Sequence, residues 1–157
     1  MKVISNGIHN GYFDDCYGKF GTQFKNDMPT FSIPFTIQNA PKETQSFVVV
    51  LDDSDAIPVA GFVWIHWLIA NLKQTDIPEN ISVSDSVDFV QGQNSWGENL
   101  YGGMAPPNCT HVYDLKVYAL DSELPLQDGF TYDELMSSME GHVLAKAILS
   151  GKYRHQK

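Results

Sequence analysis

The chain has 157 residues, of which 43% are hydrophobic and 12% aromatic, a composition typical of an ordered globular domain. Ten basic residues stand against nineteen acidic ones, which gives a net charge of −9 at pH 7 without any cluster of lysine or arginine. This charge argues against nucleic acid and anionic membrane surfaces as partners, because both would repel the chain at long range. We expect a single domain over residues 1–157.

Export and membrane signals are not evident in the sequence. The first ten residues contain no apolar stretch long enough for a signal peptide. The longest apolar run, residues 61–72, is much shorter than the roughly 20 residues that a membrane-spanning helix needs. The two cysteines, Cys16 and Cys109, form neither a disulfide framework nor a metal-ligand spacing. We therefore predict a soluble, cytoplasmic protein without stable membrane insertion.

Glycine and proline recur at short intervals through the first two thirds of the chain and separate runs rich in β-branched and aromatic residues. This spacing is typical of a β-sandwich or β-barrel. Residues 46–51 form a nearly continuous apolar run, which predicts a central strand buried on both faces, and residues 62–72 resemble it. Residues 111–120 predict a third long strand, in which His111 and Tyr113 share one face because side chains alternate.

The last quarter of the chain changes character. Thr131 and Glu134 form the pattern of a capping box, which predicts the start of a helix. Residues 142–150 carry apolar side chains at helical spacing and precede Gly151, a common helix end. We therefore predict a C-terminal helical segment, interrupted near Gly141, attached to a β-rich body.

Two acids follow the first buried strand. Asp53 and Asp55 are two residues apart, so they point to the same side if the chain stays extended. Acids at a strand end are more often turn formers that accept hydrogen bonds from nearby backbone N–H groups, and Asp52 beside them strengthens that interpretation. Taken alone, these carboxylates do not identify a binding site.

Two imidazoles and a phenol stand near the other strand ends. His66 lies inside an apolar run with Trp64 on the same strand face, where an imidazole needs internal partners or a cavity. His111 and Tyr113 are equally compatible with core packing. Ahead of them, residues 102–107 (GGMAPP) predict a rim loop, since glycine allows backbone N–H groups to turn toward an anion and proline stiffens the rest.

Four ordered motifs resemble the phosphatidylethanolamine-binding protein family, and within it the bacterial and archaeal Raf-kinase-inhibitor-like branch. They are residues 49–56 (VVLDDSDA), residues 66–71 (HWLIAN), residues 101–107 (YGGMAPP) with 111–113 (HVY), and residues 118–121 (YALD) with the tail 139–153. The resemblance covers nearly the whole chain. It implies a mainly β, antiparallel Greek-key sandwich with short peripheral helices, and it also suggests a homodimer.

The resemblance further implies a pocket that takes phosphate-like anions. The matching residues of this chain are Asp53, Asp55, Trp64, His66, Gly103, Ala105, Pro107, His111 and Tyr113. Three positions depart from the family pattern. Ser54 stands where the family has proline, Ile57 displaces Pro58 by one place, and Val112 replaces an arginine, which removes a cation beside the pocket.

Three functions fit these residues. The first is a module that binds a small anion or phospho-headgroup, such as phosphate or phosphoethanolamine, without a cofactor or catalytic residue. The second is a hydrolase that uses a metal held by Asp and His, or an Asp–His general base. The third is an inhibitor of a kinase or protease that acts through protein–protein contacts. The absence of a Gly-x-Ser-x-Gly motif, the rim loop and the resemblance favour the first.

Overall fold

The computed structural model describes residues 1–157 and shows a mainly β fold built on one seven-stranded sheet. Its strands, from one edge to the other, are β10 (Val90–Gln91), β8 (Trp64–Leu72), β7 (Ser46–Asp53), β11 (His111–Leu120), β12 (Val143–Tyr153), β3 (Tyr12–Phe13) and β2 (Ile8–His9). A three-stranded sheet contains β1 (Lys2–Ile4), β6 (Phe35–Gln38) and β9 (Asp76–Ile77). A separate hairpin pairs β4 (Phe24–Lys25) with β5 (Met28–Pro29).

The helices are short. They are α1 (Ile57–Ala60) and α2 (Tyr132–Met139), with single 3₁₀ turns at Asp15–Tyr17, Ser54–Ala56 and Ile81–Val83. The predicted capping box is confirmed at α2, where the Thr131 side chain accepts a hydrogen bond from the Glu134 backbone N–H and the Glu134 side chain accepts one from the Thr131 backbone N–H. Neither helix is long and apolar enough to cross a membrane.

Strands β7 and β8 are interior strands, each paired on both sides, and are covered on both faces. Leu51 and Trp67 belong to the larger core cluster, which also includes side chains of the three-stranded sheet. Val50 and Leu68 face the opposite way, into a smaller cluster closed by α2. Because both faces are buried, the sequences of these strands are nearly continuous apolar runs. The prediction for residues 46–51 is confirmed.

Strand β11 has one buried and one wetter face, as its alternating sequence predicted. The even-numbered residues 112–118 are exposed or half-buried, whereas the odd-numbered residues 111–119 are fully buried. β11 pairs antiparallel with β7 on one side and with β12 on the other. The single pairing of β12 with β3 is parallel. The mainly β class is confirmed, and the Greek-key order of connections stays a prediction.

The prediction of a C-terminal helical segment is wrong beyond α2, because residues 143–153 form strand β12. β12 pairs with β11 from Leu120↔Val143 to His111↔Tyr153. The apolar residues of this segment are compatible with the helical period and with the strand period. In the structure Ala145, Ala147 and Leu149 pack on the core at a spacing of two residues. Gly141 makes the turn into β12 with φ +82°, a conformation that glycine adopts without strain. Pairing with β11 therefore overrode the helical pattern.

Candidate functional site

A cavity of about 440 Å³ lies where the ends of β7, β8 and β11 meet the loop before β11. Seven of the nine residues predicted for the site line it: Asp53, Trp64, His66, Ala105, Pro107, His111 and Tyr113. Asp55 and Gly103 lie outside the lining. The chain thus brings strand ends that are far apart in sequence to one concave surface, the usual form of a small-molecule site.

A β-bulge turns His66 toward this cavity. Leu51 pairs with Trp67 and Asp52 with Ile65, so His66 is an extra residue on β8 without a partner in β7. Strict alternation would place His66 on the face of Leu68, away from the cavity. A bulge re-aims side chains, and here His66 and Trp67 both lie on the inner face. The sequence carries no signal for this bulge.

Asp53 and His111 form a buried pair across β7 and β11. His111 Nδ1 lies 2.7 Å from Asp53 Oδ2, and His111 Nε2 lies 2.8 Å from Asn108 Oδ1. The Asp53 side chain is nearly inaccessible to solvent, and burial raises the pKa of its carboxyl group. The hydrogen bond from His111 and the nearby Asp55 backbone amide oppose that rise. Both nitrogens of His111 are therefore committed to neighbours within the protein.

His66 is a neutral side chain in this site. Its Nδ1–H donates to the Gly102 carbonyl oxygen at 2.7 Å. Complete burial lowers the pKa of its imidazole to about 4, although the carbonyl groups of Gly102 and Gly103 favour the charged form. In the neutral ring the other nitrogen, Nε2, carries a lone pair and can only accept. His66 therefore offers a ligand an acceptor and not a donor.

Three buried polar atoms have no hydrogen-bond partner, and all three belong to residues that line the cavity. They are Asp53 Oδ1, Trp64 Nε1 and Tyr113 Oη. An unpaired buried polar group costs about 1–3 kcal/mol, so such groups are rare in folded proteins. No other buried side-chain nitrogen or oxygen in residues 1–157 lacks a partner. Their clustering in one cavity indicates a site that is completed by a ligand.

An aromatic wall forms one side of the cavity, and sequence reasoning found only part of it. The Phe62 ring stacks on Trp64 at 5.5 Å between centroids, and Trp96 meets Trp64 edge-on at 5.2 Å. Trp96 also lies edge-on to His66 at 5.4 Å. Phe62 and Trp96 come from loops without a motif, so only folding brings them to Trp64.

Asp27 is a further residue of the lining that the sequence analysis missed. It lies in the turn of the β4–β5 hairpin after Asn26, whose φ of 54° makes the turn tight. The Asp27 side chain is exposed and has no hydrogen bond or ion pair with the protein. It therefore places a free carboxylate at the mouth of the cavity.

The glycine pair does not form the predicted anion cradle. Gly102 N–H donates to the His66 carbonyl and Gly103 N–H to the Pro29 carbonyl, both at 2.8 Å. A Cβ atom at Gly102 would collide with the Trp96 ring, and one at Gly103 would collide with the Tyr17 carbonyl oxygen. These glycines are required for close packing beside the cavity, and Ala105, Pro106 and Pro107 form its rim.

The three acids Asp52, Asp53 and Asp55 have three different roles. Asp52 points to the outer face, where its Oδ2 accepts from Lys116 Nζ at 2.6 Å. Asp53 faces the cavity. Asp55 lies in the 3₁₀ turn after β7 and accepts from the Val112 backbone N–H at 2.9 Å. Asp55 therefore ties this turn to β11 through a long-range contact, and not to its own neighbours as a local turn former would.

Of the groups that the hydrolase alternative would use, the cavity contains one Asp–His pair, Asp53 and His111. The cavity lining contains no serine, threonine or cysteine side chain, and Cys109 is exposed outside it. Over residues 1–157 no group of three or more His, Cys, Asp or Glu side chains is arranged to hold a metal ion.

Comparisons with known proteins agree on one family. The sequence profile of the phosphatidylethanolamine-binding protein family matches residues 5–154. An uncharacterized Bacillus subtilis protein, YxkA, is 38% identical over 155 residues, covering 89% of this chain and 92% of its own length. A UPF0098 protein of Methanothermobacter thermautotrophicus is 35% identical over 141 residues, covering 87% of this chain and 91% of its own.

Solved structures show the same architecture. A phosphatidylethanolamine-binding protein homologue from Chlamydia trachomatis, CT736, superimposes with a TM-score of 0.83 at 29% identity, covering 98% of this chain and 96% of its own. Escherichia coli YbcL, a member of the mammalian PEBP family, superimposes with a TM-score of 0.82 at 25% identity, covering 98% of this chain and 97% of its own. The chain belongs to the phosphatidylethanolamine-binding protein family.

Proposed function

We propose that this protein is a ligand-binding module whose cavity takes a small phosphorylated headgroup, phosphate or a phosphoethanolamine-like group. The observation that carries the proposal is the set of unpartnered polar atoms in one cavity, Asp53 Oδ1, Trp64 Nε1 and Tyr113 Oη. A phosphoryl group can accept from the Trp64 N–H and the Tyr113 O–H, and these hydrogen bonds are strengthened by the ligand's charge.

The charge of the cavity favours a headgroup that also carries a cation. No lysine or arginine lines the cavity, whereas Asp27 and Asp53 do. Since His66 is neutral, a bare phosphate dianion would meet two carboxylates without a compensating charge on that side. An ammonium group near Asp27 would offset this repulsion. We therefore expect phosphoethanolamine to bind more tightly than inorganic phosphate.

Isothermal titration calorimetry with phosphate and phosphoethanolamine tests this function. Tyr113→Phe should weaken both ligands by about 10- to 100-fold, since one hydrogen bond to a charged group is worth about 1.5–3 kcal/mol. Asp27→Asn should remove the preference for phosphoethanolamine, which we expect to be about 2- to 5-fold because exposed ion pairs contribute under about 1 kcal/mol. Asp76→Asn, an exposed carboxylate outside the cavity, is the matched control.

Two results would contradict the proposal. One is the absence of heat with either ligand in the wild-type protein. The other is an equal loss of the phosphoethanolamine preference in Asp27→Asn and Asp76→Asn, which would show a general charge effect and not a cavity contact.

A further inference from the structure

Strand β12 has one edge that is almost entirely unpaired. On one side β12 pairs with β11 from Val143 to Tyr153, whereas on the other side it pairs only with β3, at Lys152 alone. Strand β1 lies nearby but pairs only with β6. We call residues 143–151 on this side of β12 the open edge. An unpaired edge presents a row of backbone N–H and C=O groups to which another strand can add.

Two hydrogen bonds show which residues face the open edge. The Val112 backbone N–H donates to Asp55, on the β7 side of β11, so the odd-numbered residues of β11 are the ones bonded to β12. Their partners in β12 are odd-numbered as well. The Lys152 N–H accordingly points away from β11 and donates to the Gly11 carbonyl oxygen at 2.9 Å. The preceding even-numbered residues of β12 have the same orientation, so their N–H and C=O groups point to the open edge: Lys146, Ile148 and Ser150.

The inner face of the sheet is incompletely covered beside the open edge. The inward-facing, odd-numbered residues 113–119 of β11 are fully buried. Their neighbours in β12, Ala145, Ala147 and Leu149, pack on the same core but remain half-buried. Two of these three are alanines, which leave space for larger apolar side chains beside them. An added strand would complete the cover with apolar residues at every second position.

The outer face of β12 carries two lysines without ion-pair partners. The ammonium group of Lys146 lies 5.2 Å from the centre of the Tyr118 ring, and that of Lys152 lies 5.8 Å from the centre of the Tyr12 ring. Neither is among the ion pairs of the chain. Between them Ile148 is 51% exposed. A strand added here would meet positive charge on its outward-facing side chains.

We propose that the open edge binds an extended segment of another protein in which acidic and apolar side chains alternate. Residues of that segment opposite Lys146 and Ile148 point to the outer face, where the acids meet the lysines. The residues between them point to the inner face and cover Ala145, Ala147 and Leu149. No residue of the open edge lines the cavity, so this inference is independent of the proposed function.

Charge favours an acidic segment over a second copy of this chain. A second copy would bring two further lysines to the same outer face, whereas glutamate side chains would neutralise those already there. The carboxylate of Asp114 on this face is already bonded to the Ser150 hydroxyl. At physiological salt the screening length is about 8 Å, so the adjacent lysines act on a bound strand more strongly than the distant carboxylates behind the net charge of −9.

Fluorescence polarization with a labelled peptide of alternating valine and glutamate, VEVEVEV, tests the chemistry of the partner. Its counterpart VKVKVKV keeps the strand pattern and reverses the charge. We expect the glutamate peptide to bind at least about tenfold more tightly, because the lysines of β12 attract carboxylates and repel ammonium groups. Lys146→Glu should abolish this preference. Lys42→Glu makes the same change of net charge at an exposed site outside the open edge and should keep the preference.

Ile148→Pro tests the backbone pairing itself. Proline lacks the N–H that faces the open edge, and no hydrogen bond to β11 is lost with it. We expect this variant to bind VEVEVEV at least about tenfold more weakly than wild type. Ile148→Thr keeps the N–H in a β-branched residue and should stay within about threefold of wild type.

Amide hydrogen exchange of the wild-type protein locates the bound peptide without any substitution. In the free protein the amides of Lys146, Ile148 and Ser150 should exchange rapidly, and saturating VEVEVEV should slow them at least about tenfold. The amides of Ala147 and Leu149 are bonded to β11 and should be protected in both states. This measurement holds even if Ile148→Pro does not fold.

Several results would overturn this inference. Failure of VEVEVEV to bind, or equal binding of the two peptides, would refute an acidic extended partner. Slow exchange of the three edge amides in dilute free protein would show that the edge is closed. Protection that rises with protein concentration in the absence of peptide would show that the open edge binds a second copy instead.

Discussion

Replacing His66 should change how the stability of the protein depends on pH. In the folded state the pKa of His66 is lowered from 6.5 to about 4, chiefly because burial disfavours the charged ring. Below pH 6.5 the unfolded chain therefore binds a proton that the folded protein does not. The stability that neutral His66 contributes above that pH is lost as the pH falls toward 4. From pH 7.5 to pH 5, linkage with these two pKa values predicts a loss of about 2 kcal/mol.

The assay is urea denaturation of wild type and His66→Gln at pH 7.5 and pH 5. Glutamine does not titrate, and its amide N–H can still donate to the Gly102 carbonyl. The unfolding free energy of wild type minus that of the variant should be about 2 kcal/mol larger at pH 7.5 than at pH 5. The subtraction cancels the titration of groups that both proteins share, such as Asp52 and Asp53. A difference that does not change with pH would refute a neutral, buried His66.

Three further substitutions test the packing around the site by urea denaturation. Lys116→Met should lower the unfolding free energy by about 3 kcal/mol, because it leaves the buried Asp52 carboxylate without its partner. The double variant with Asp52→Asn should recover part of that loss, and a cost of Lys116→Met under about 1 kcal/mol would contradict this prediction. Gly103→Ala should cost about 1–3 kcal/mol, because its Cβ meets the Tyr17 carbonyl oxygen, and unchanged stability would mean that the loop relaxes freely. Thr131→Ala should cost about 1 kcal/mol through loss of the helix cap, while Thr131→Ser should cost less.

The C-terminal segment shows the limit of local patterns. Residues 142–150 fit a helix by apolar spacing, yet residues 143–153 form β12. Alanine, lysine and leucine favour helix in isolation, so propensity and periodicity agreed on the wrong structure. The segment forms a strand and not a helix because it pairs with β11 along its whole length and packs Ala147 and Leu149 on the core from one face. The β11 edge that it pairs with exists only after the rest of the sheet has formed.

The candidate site also has features that the sequence predicts and features that it does not. Residue type and position drew attention to Asp53, Trp64, His66, His111 and Tyr113, but only the family resemblance placed them in one pocket. The sequence did not predict which atoms of the site donate hydrogen bonds and which accept them. The two glycines pack instead of donating to a ligand, and His66 uses its N–H on the Gly102 carbonyl. Donor and acceptor roles depend on which neighbour takes each atom, and residue type alone does not contain that information.

The sequence by itself therefore determined the mainly β class, the doubly buried central strand and the helix cap. These features follow from residue type and short-range alternation, which are properties of the chain at every position, whereas the grouping of the polar residues into one site came from the family resemblance. Only the tertiary structure decided the bulge at His66, the contributions of Asp27, Phe62 and Trp96, and the unpartnered atoms of the cavity. Each of these depends on contacts between segments distant in sequence, where packing and competition for hydrogen bonds set the outcome.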